Sequence, residues 1–173
     1  PSDVTGLVLA GGLGSRMGGV DKGLQPWRGR PMVAHVLERL APQVGQVLIN
    51  ANRNLAAYGE FGHPVLPDTL PDHPGPLAGF LTGLQACRTP WLVTAPCDSP
   101  LLPQDLVQQL HQGATSADVS IVMAETQGKY QPVFCLMRVV VASSLLQFLA
   151  EGGRKIDRWA LSAGSVAVPF DDA

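Results

Sequence analysis

The sequence is short of most features that would announce a charged, membrane or metal partner. It has no excess of either charge: 12 basic residues stand against 14 acidic ones, a formal net charge of −2. That balance excludes the electrostatic footprint needed to wrap nucleic acid or coat an anionic membrane, so any bound anion has to be held locally. Cysteine is scarce. Cys87, Cys97 and Cys135 are odd in number, far apart and without metal-ligand spacing, which fits reduced thiols in a cytoplasmic protein better than a disulfide framework or a structural zinc. No two of the four histidines, His35, His63, His73 and His111, have metal-ligand spacing either, and they read as surface or helix-face residues. Long apolar runs are missing too. None approaches the ~18 residues that a spanning helix needs, and the N-terminal PSDVTGLVLAGG has neither the basic region nor the long apolar region of a leader. The expectation is a soluble, cytoplasmic protein that engages no membrane and no nucleic acid.

What the chain does have is apolar residues, 46% of 173, enough to bury one substantial core and not comfortably two. One domain is expected over residues 1–173. TGLVLA reads as a buried strand. From Pro31, residues Met32, Val33, Val36, Leu37 and Leu40 recur at helical period, with Pro31 at the first helical position and a stop near Pro42. QVLINA is a second strand, Leu55 to Tyr58 a helical turn, and PVLP a minimal third strand. Leu77, Ala78, Phe80, Leu81 and Leu84 form another helical stripe. WLVTA is a strand, and LPQDLVQQLHQG reads as a helix with Pro103 at its start and Gly113 at its end. DVSIVMA and YQPVFCLM are further strands, SSLLQFLAEGG and RKIDRWALSAG helices, and SVAVPF a last strand. Gly152 and Gly153 read as a helix stop, and Trp27, Trp91 and Trp159 as packing residues rather than base-stacking platforms.

Strands that alternate with helices in this way predict an α/β fold: a doubly wound, mostly parallel sheet with helices on both faces. Ligands of such sheets bind beyond the carboxyl ends of the strands. Three polar loops fall there: GGLGSRMGGVDKG after the first strand, NANR after the second, and PCDSP after WLVTA.

The glycine-rich loop matches neither standard phosphate cradle. A Walker loop requires Gly-Lys-Ser or Gly-Lys-Thr, whereas Lys22 follows Asp21 and precedes Gly23; the dinucleotide fingerprint from Gly12 would need glycine where Met17 stands. Glycines still let backbone N–H groups approach phosphate oxygens closely, and Arg16 and Lys22 add two cations. The plain alternative is a surface loop with two solvated charges. In PCDSP, Asp98 stands just past a strand between prolines that stiffen the loop, where a carboxylate facing phosphates holds Mg²⁺; capping LLPQDL or forming a turn is its other reading. Asp68 in LPDTLP is a ready turn former. Asn50 and Asn52 flank Ala51, where an amide either reads a base edge or closes a turn.

Taken together, LVLAGGLGSRMGGVDKG, NANR, DTLPDHPGPLAG and PCDSPLLP resemble the nucleotidyltransferases of cofactor biosynthesis, and among them the molybdenum cofactor guanylyltransferase family. The LAGG form, the Gly-Val-Asp-Lys run and the Pro-Cys-Asp stretch favour that branch over its cytidylyl-transferring relative. The resemblance runs from Leu7 to about Leu102, with QPVFCL a looser match beyond. It implies a Rossmann-like fold and transfer of GMP from GTP to the terminal phosphate of molybdenum-molybdopterin, with release of pyrophosphate and Mg²⁺ as cofactor. It further implies molybdenum-insertion and molybdoenzyme chaperone proteins as partners. Carried over residue by residue, Leu9, Ala10, Gly11 and Gly12 begin the nucleotide cradle, Arg16 and Lys22 act on the phosphates, Asn50 and Asp68 contact the guanine nucleotide, and Asp98 is the Mg²⁺ ligand. Gly75, Pro76, Leu77 and Gly79 lie toward the pterin side. The family also carries, near its C-terminus, an Asn-x-Asn-Thr-Pro segment and a helix; this sequence ends at PFDDA, a departure that bears on the acceptor end of the site more than on the nucleotide end.

An acceptor phosphate is already an anion near pH 7, so this chemistry needs no general base, and no His-Ser or His-Cys constellation is there to supply one. Two other readings remain open on sequence: cytidylyl transfer or nucleotidyl transfer to a sugar phosphate, and a non-catalytic GTP-binding module that acts through a partner.

Overall fold

The computed structural model describes residues 2–10, 21–69 and 75–170. Strand β1 (Val4–Leu9) opens the fold, and a short hairpin, β2 (Pro26–Trp27) with β3 (Arg30–Pro31), leads into helix α1 (Met32–Leu40). There follow β4 (Gln46–Asn50), α2 (Leu55–Gly59), β5 (Val65–Leu66), α3 (Pro76–Ala86) and β6 (Trp91–Pro96). The second half runs α4 (Leu106–Ala117), β7 (Ile121–Thr126), β8 (Lys129–Arg138), α5 (Ala142–Ala150), α6 (Ile156–Ser162) and β9 (Ser165–Pro169). Seven strands form one sheet in the order β5-β4-β1-β6-β8-β7-β9. Only β8 runs antiparallel to its neighbours, so the sheet is mostly parallel, as the alternation of elements predicts.

Period-two alternation along the strands divides the core in two. Val8, Val47, Ile49, Val93, Val122 and Leu136 face Val33, Val36, Leu40, Leu106 and Leu110 of α1 and α4. Their sequence neighbours Leu7, Leu48, Leu92, Ile121, Met123, Cys135 and Met137 face Leu77, Phe80, Leu81, Leu145 and Trp159 of α3, α5 and α6. Each large apolar side chain buried this way contributes about 1.5–3 kcal/mol relative to exposure. Trp91 and Trp159 are buried packing residues, and Trp27 packs its edge against His35 at 5.0 Å between ring centroids.

The structure corrects three local readings. Helix α4 begins at Leu106, not at Pro103, and passes through Gly113 to Ala117, where Asp118 ends it in the left-handed region at φ 52°. Gly113 is there because α4 lies tightly on β9: a Cβ at that position would stand 2.4 Å from Val168 Cγ2. Pro31 precedes α1 in the β3 strand, outside the helix. The β2–β3 hairpin is absent from the sequence reading; Arg28 and Gly29 make its turn at φ 52° and 83°, and an arginine in that conformation gives no turn signal. Gly152, at φ 90°, does end α5, with its N–H on Leu149 O at 3.0 Å.

Candidate active site

Three strands that are neighbours in the sheet, β4, β1 and β6, end level with one another, because Leu9 pairs with Asn50 on one side and with Pro96 on the other. All three run parallel, so the loops singled out in the sequence leave the sheet at one edge, as expected for a doubly wound fold. Backbone bonds hold the strand ends together: Ala10 N–H donates to Asn50 O at 2.7 Å, and Cys97 N–H to Leu9 O at 3.1 Å.

At that edge Lys22 Nζ stands 3.9 Å from Asp98 Oδ2, with the two side chains 52% and 34% exposed. The pair is open to solvent and loosely joined, so it contributes little to stability and both charges remain available to a ligand. Lys22 opens a short 3₁₀ turn, Lys22–Leu24, and the turn is anchored from beneath by Asp21. The buried Asp21 carboxylate accepts from Tyr58 Oη at 2.5 Å and from Gly23 N–H at 3.2 Å through Oδ1, and from Asn54 Nδ2 at 3.1 Å through Oδ2. Burial, with the Asp21 carboxylate beside it, pushes the Tyr58 hydroxyl far above its ordinary value, which keeps it a proton donor. Gly23 is wedged where a Cβ would stand 2.7 Å from Tyr58 Oη and 2.9 Å from Cys97 Sγ. Cys97 is itself buried next to Asp98, and its thiol is pushed up to about 12 by burial and by the Asp98 and Asp21 carboxylates.

A second cluster forms where β4 meets β5. Asn50 is 3% exposed, and its Nδ2 donates to Leu66 O at 3.0 Å and to Asp68 Oδ1 at 2.9 Å. Asn52 Nδ2 donates to Asp68 Oδ2 at 3.1 Å, and Asn52 Oδ1 accepts from the Asp68 N–H at 2.8 Å. Asp68 is thus held at both oxygens by two asparagines. Helix α3 presses on this cluster from the other side, with Gly79 directly against Asn50 Oδ1. Of the four residues read toward the pterin side, Leu77 and Gly79 are buried, Gly75 caps α3, and Pro76 is its first residue.

The structure therefore gathers Leu9, Ala10, Lys22, Asn50, Asp68 and Asp98 at one sheet edge, while Gly11, Gly12 and Arg16 lie outside the described residues. Sequence reasoning missed Asp21, Asn54 and Tyr58. The signal lay in the motif itself, where Asp21 counted as the residue that spoils a Walker loop and as one letter of the Gly-Val-Asp-Lys run, without a role of its own. Among the described residues no three His, Cys, Asp or Glu side chains cluster to hold a metal. A divalent ion here would take Asp98 and ligand oxygens, which is how Mg²⁺ is commonly bound, through one or two carboxylates plus substrate phosphates. Asp98 fits that demand as a partly exposed hard donor; the buried Cys97 thiol, protonated at neutral pH, does not.

A doubly wound sheet that brings a lysine, a carboxylate and an amide-held aspartate to the carboxyl ends of adjacent parallel strands defines a nucleotide-handling α/β domain. The family model described as the MobA-like NTP transferase domain matches residues 6–164, and the chain belongs to that family of nucleotidyltransferases. Among its relatives, the molybdenum cofactor guanylyltransferase of Cupriavidus necator is 60% identical over 99% of this chain and 88% of its own length. That of Acidovorax sp. (strain JS42) is 59% identical over 98% of this chain and 85% of its own. Molybdopterin-guanine dinucleotide biosynthesis protein A from Archaeoglobus fulgidus shares the fold at a TM-score of 0.78 and 21% identity, over 95% of this chain and 83% of that one. No helix of the described residues is long and apolar enough to cross a membrane.

Proposed function

We propose that this chain transfers GMP from GTP to the terminal phosphate of molybdenum-molybdopterin, forming the guanine dinucleotide cofactor and pyrophosphate. The carrying observation is the exposed Lys22–Asp98 pair at the ends of adjacent parallel strands, in a chain 59–60% identical to relatives named for that activity. An acceptor phosphate needs no deprotonation, so the protein's share of catalysis is positioning and charge neutralisation. Lys22 offsets charge on the α-phosphate and the leaving pyrophosphate as a point charge. Arg16 does so with a planar fork. Asp98 holds Mg²⁺, which supplies Lewis-acid neutralisation of the nucleotide phosphates when bound. Asp68, fixed by Asn50 and Asn52, faces the guanine nucleotide, Leu9, Ala10, Gly11 and Gly12 line its path, and the Gly75 to Gly79 stretch lies toward the pterin. The reaction belongs in the cytoplasm, between molybdenum-insertion proteins that supply the acceptor and molybdoenzyme chaperones that take the product.

The test is pyrophosphate release from purified protein with molybdenum-molybdopterin and GTP, CTP or ATP in turn, beside a thermal-shift titration with each nucleotide and Mg²⁺. GTP alone is expected to support turnover and to raise the melting temperature, with the shift reduced in Asp98→Ala. Lys22→Ala is expected to lower kcat by about 10²-fold or more while KM for GTP changes less, since its contact strengthens in the transition state. Equal stabilisation by CTP would move the reading to cytidylyl transfer, and GTP binding without pyrophosphate release would move it to a binding module.

A further inference from the structure

The one buried carboxylate among the described residues is Asp21, and the chemistry above makes no use of it. Its surroundings are built and not incidental. Tyr58 comes from α2, 37 positions away in sequence, and is fully buried, yet its hydroxyl reaches Asp21 Oδ1. Asn54 stands in the left-handed region at φ 55°, and its Nδ2 reaches the other oxygen, 33 positions away. Gly23 closes the set by donating its N–H to Asp21 Oδ1 across the Lys22 peptide unit. A buried carboxylate held by three neutral donors is rigid, because each lost donor would leave charge unsatisfied in a medium that cannot replace it.

Asn50 ends β4, and Asn52 and Asn54 follow it in the segment that leads to α2. The first two grip Asp68 and the third grips Asp21. The segment therefore joins the Asp68 cluster to the turn that carries Lys22.

We propose that Asp21 is a positioning residue for guanylyl transfer: with Tyr58 and Asn54 it forms a latch that holds the Lys22–Leu24 turn, and so holds Lys22 Nζ opposite Asp98. Lys22 has four rotatable side-chain bonds and is half-exposed; only a fixed backbone keeps its ammonium within reach of a phosphate at the moment charge develops. The latch rests on the guanylyl-transfer reading for its effect on rate, but not for its effect on the turn.

Two variants test it. Tyr58→Phe removes the hydroxyl and keeps the ring in its pocket. Asn54→Gly removes the amide at an exposed position and keeps the positive φ available, so it stays folded even where Tyr58→Phe does not. Each is expected to lower kcat about tenfold with KM for GTP within about twofold of wild type. Neither is expected to lower kcat further when added to Lys22→Ala, because the latch acts through that lysine. Hydrogen exchange of a peptide spanning residues 21–25 is expected to speed up about tenfold in both, with β1 and β6 unchanged. A full tenfold loss that persists in the Lys22→Ala background overturns the latch, and so does unchanged exchange at residues 21–25. Wild-type protein that releases no pyrophosphate overturns guanylyl transfer instead, and the exchange measurement still decides whether the latch holds the turn.

Discussion

Gly79→Ala sets two quantified effects of opposite sign against each other at the base of the site. Gly79 is the fourth residue of α3, and replacing a mid-helix glycine by alanine ordinarily stabilises by about 1 kcal/mol. Here the new Cβ would stand 2.4 Å from Asn50 Oδ1, 3.1 Å from Asn50 Cγ and 2.8 Å from Leu9 Cδ2. The leucine methyl can rotate away. Asn50 cannot do so freely, because its amide is buried and bonded to Leu66 O and Asp68 Oδ1. Moving it forfeits two hydrogen bonds of about 0.5–1.5 kcal/mol each, and leaving it in place stores overpacking strain of about 1–3 kcal/mol. Either route costs about 1–3 kcal/mol against a gain of about 1, so a net loss of up to about 2 kcal/mol is expected. For a domain of this size that is a fall in Tm of up to about 8 °C. Thermal and urea unfolding read it directly, with Gly59→Ala as the control, since a Cβ there meets nothing within 4 Å and should be neutral or mildly stabilising. Gly79→Ala should cost less in an Asn50→Ala background than in the wild-type chain if Asn50 is the obstacle. A Gly79→Ala protein as stable as Gly59→Ala would refute the reasoning, because it would mean that α3 can back away from the sheet edge at no cost.

Gly113→Ala poses the same question at the far edge of the sheet: a clash with Val168 at 2.4 Å is expected to lower stability by about 1 kcal/mol net of propensity, and Val168→Ala in the same chain should relieve it, both read by urea unfolding. The buried thiols set a pH dependence. Cys97 is pushed up from 9.0 to about 12 and Cys135 is raised further by burial alone, so above pH 9 the unfolded chain loses thiol protons that the folded chain keeps. Stability therefore falls as pH rises from about 9 towards 12, by about 1 kcal/mol per thiol at pH 10, and the urea midpoint should fall less steeply over that range in Cys97→Ala. The half-buried Cys87 should be alkylated first at pH 8, with mass spectrometry locating the label.

The sheet was legible because its strands are buried on both faces. Leu7 and Val8, or Leu92 and Val93, pack on opposite helix layers, so a run such as LVLA is apolar at successive positions, and an apolar run between polar loops is what sequence shows best. The site was legible for a related reason: a parallel sheet delivers the loops of neighbouring strands to one edge, and the order of three polar loops along the chain already named that edge. What sequence could not give are the relations that packing alone creates. Gly113 looks like any glycine that stops a helix until β9 is laid against α4, where a Cβ would stand 2.4 Å from Val168 Cγ2. That the Asn50 amide is bonded to Leu66 O and Asp68 shows only once β5 lies beside β4. Asp21 looks like the residue that spoils a phosphate loop until Tyr58 arrives from α2 to hold it. In each case the residue type is unremarkable and the partner is remote in sequence, so the constraint belongs to the pair. The lysine was named by its motif, but what keeps it in place is a tyrosine and an asparagine that no motif included. For this site, then, sequence identified the groups that carry charge, and the structure alone identified the neutral groups that decide where the charge stands.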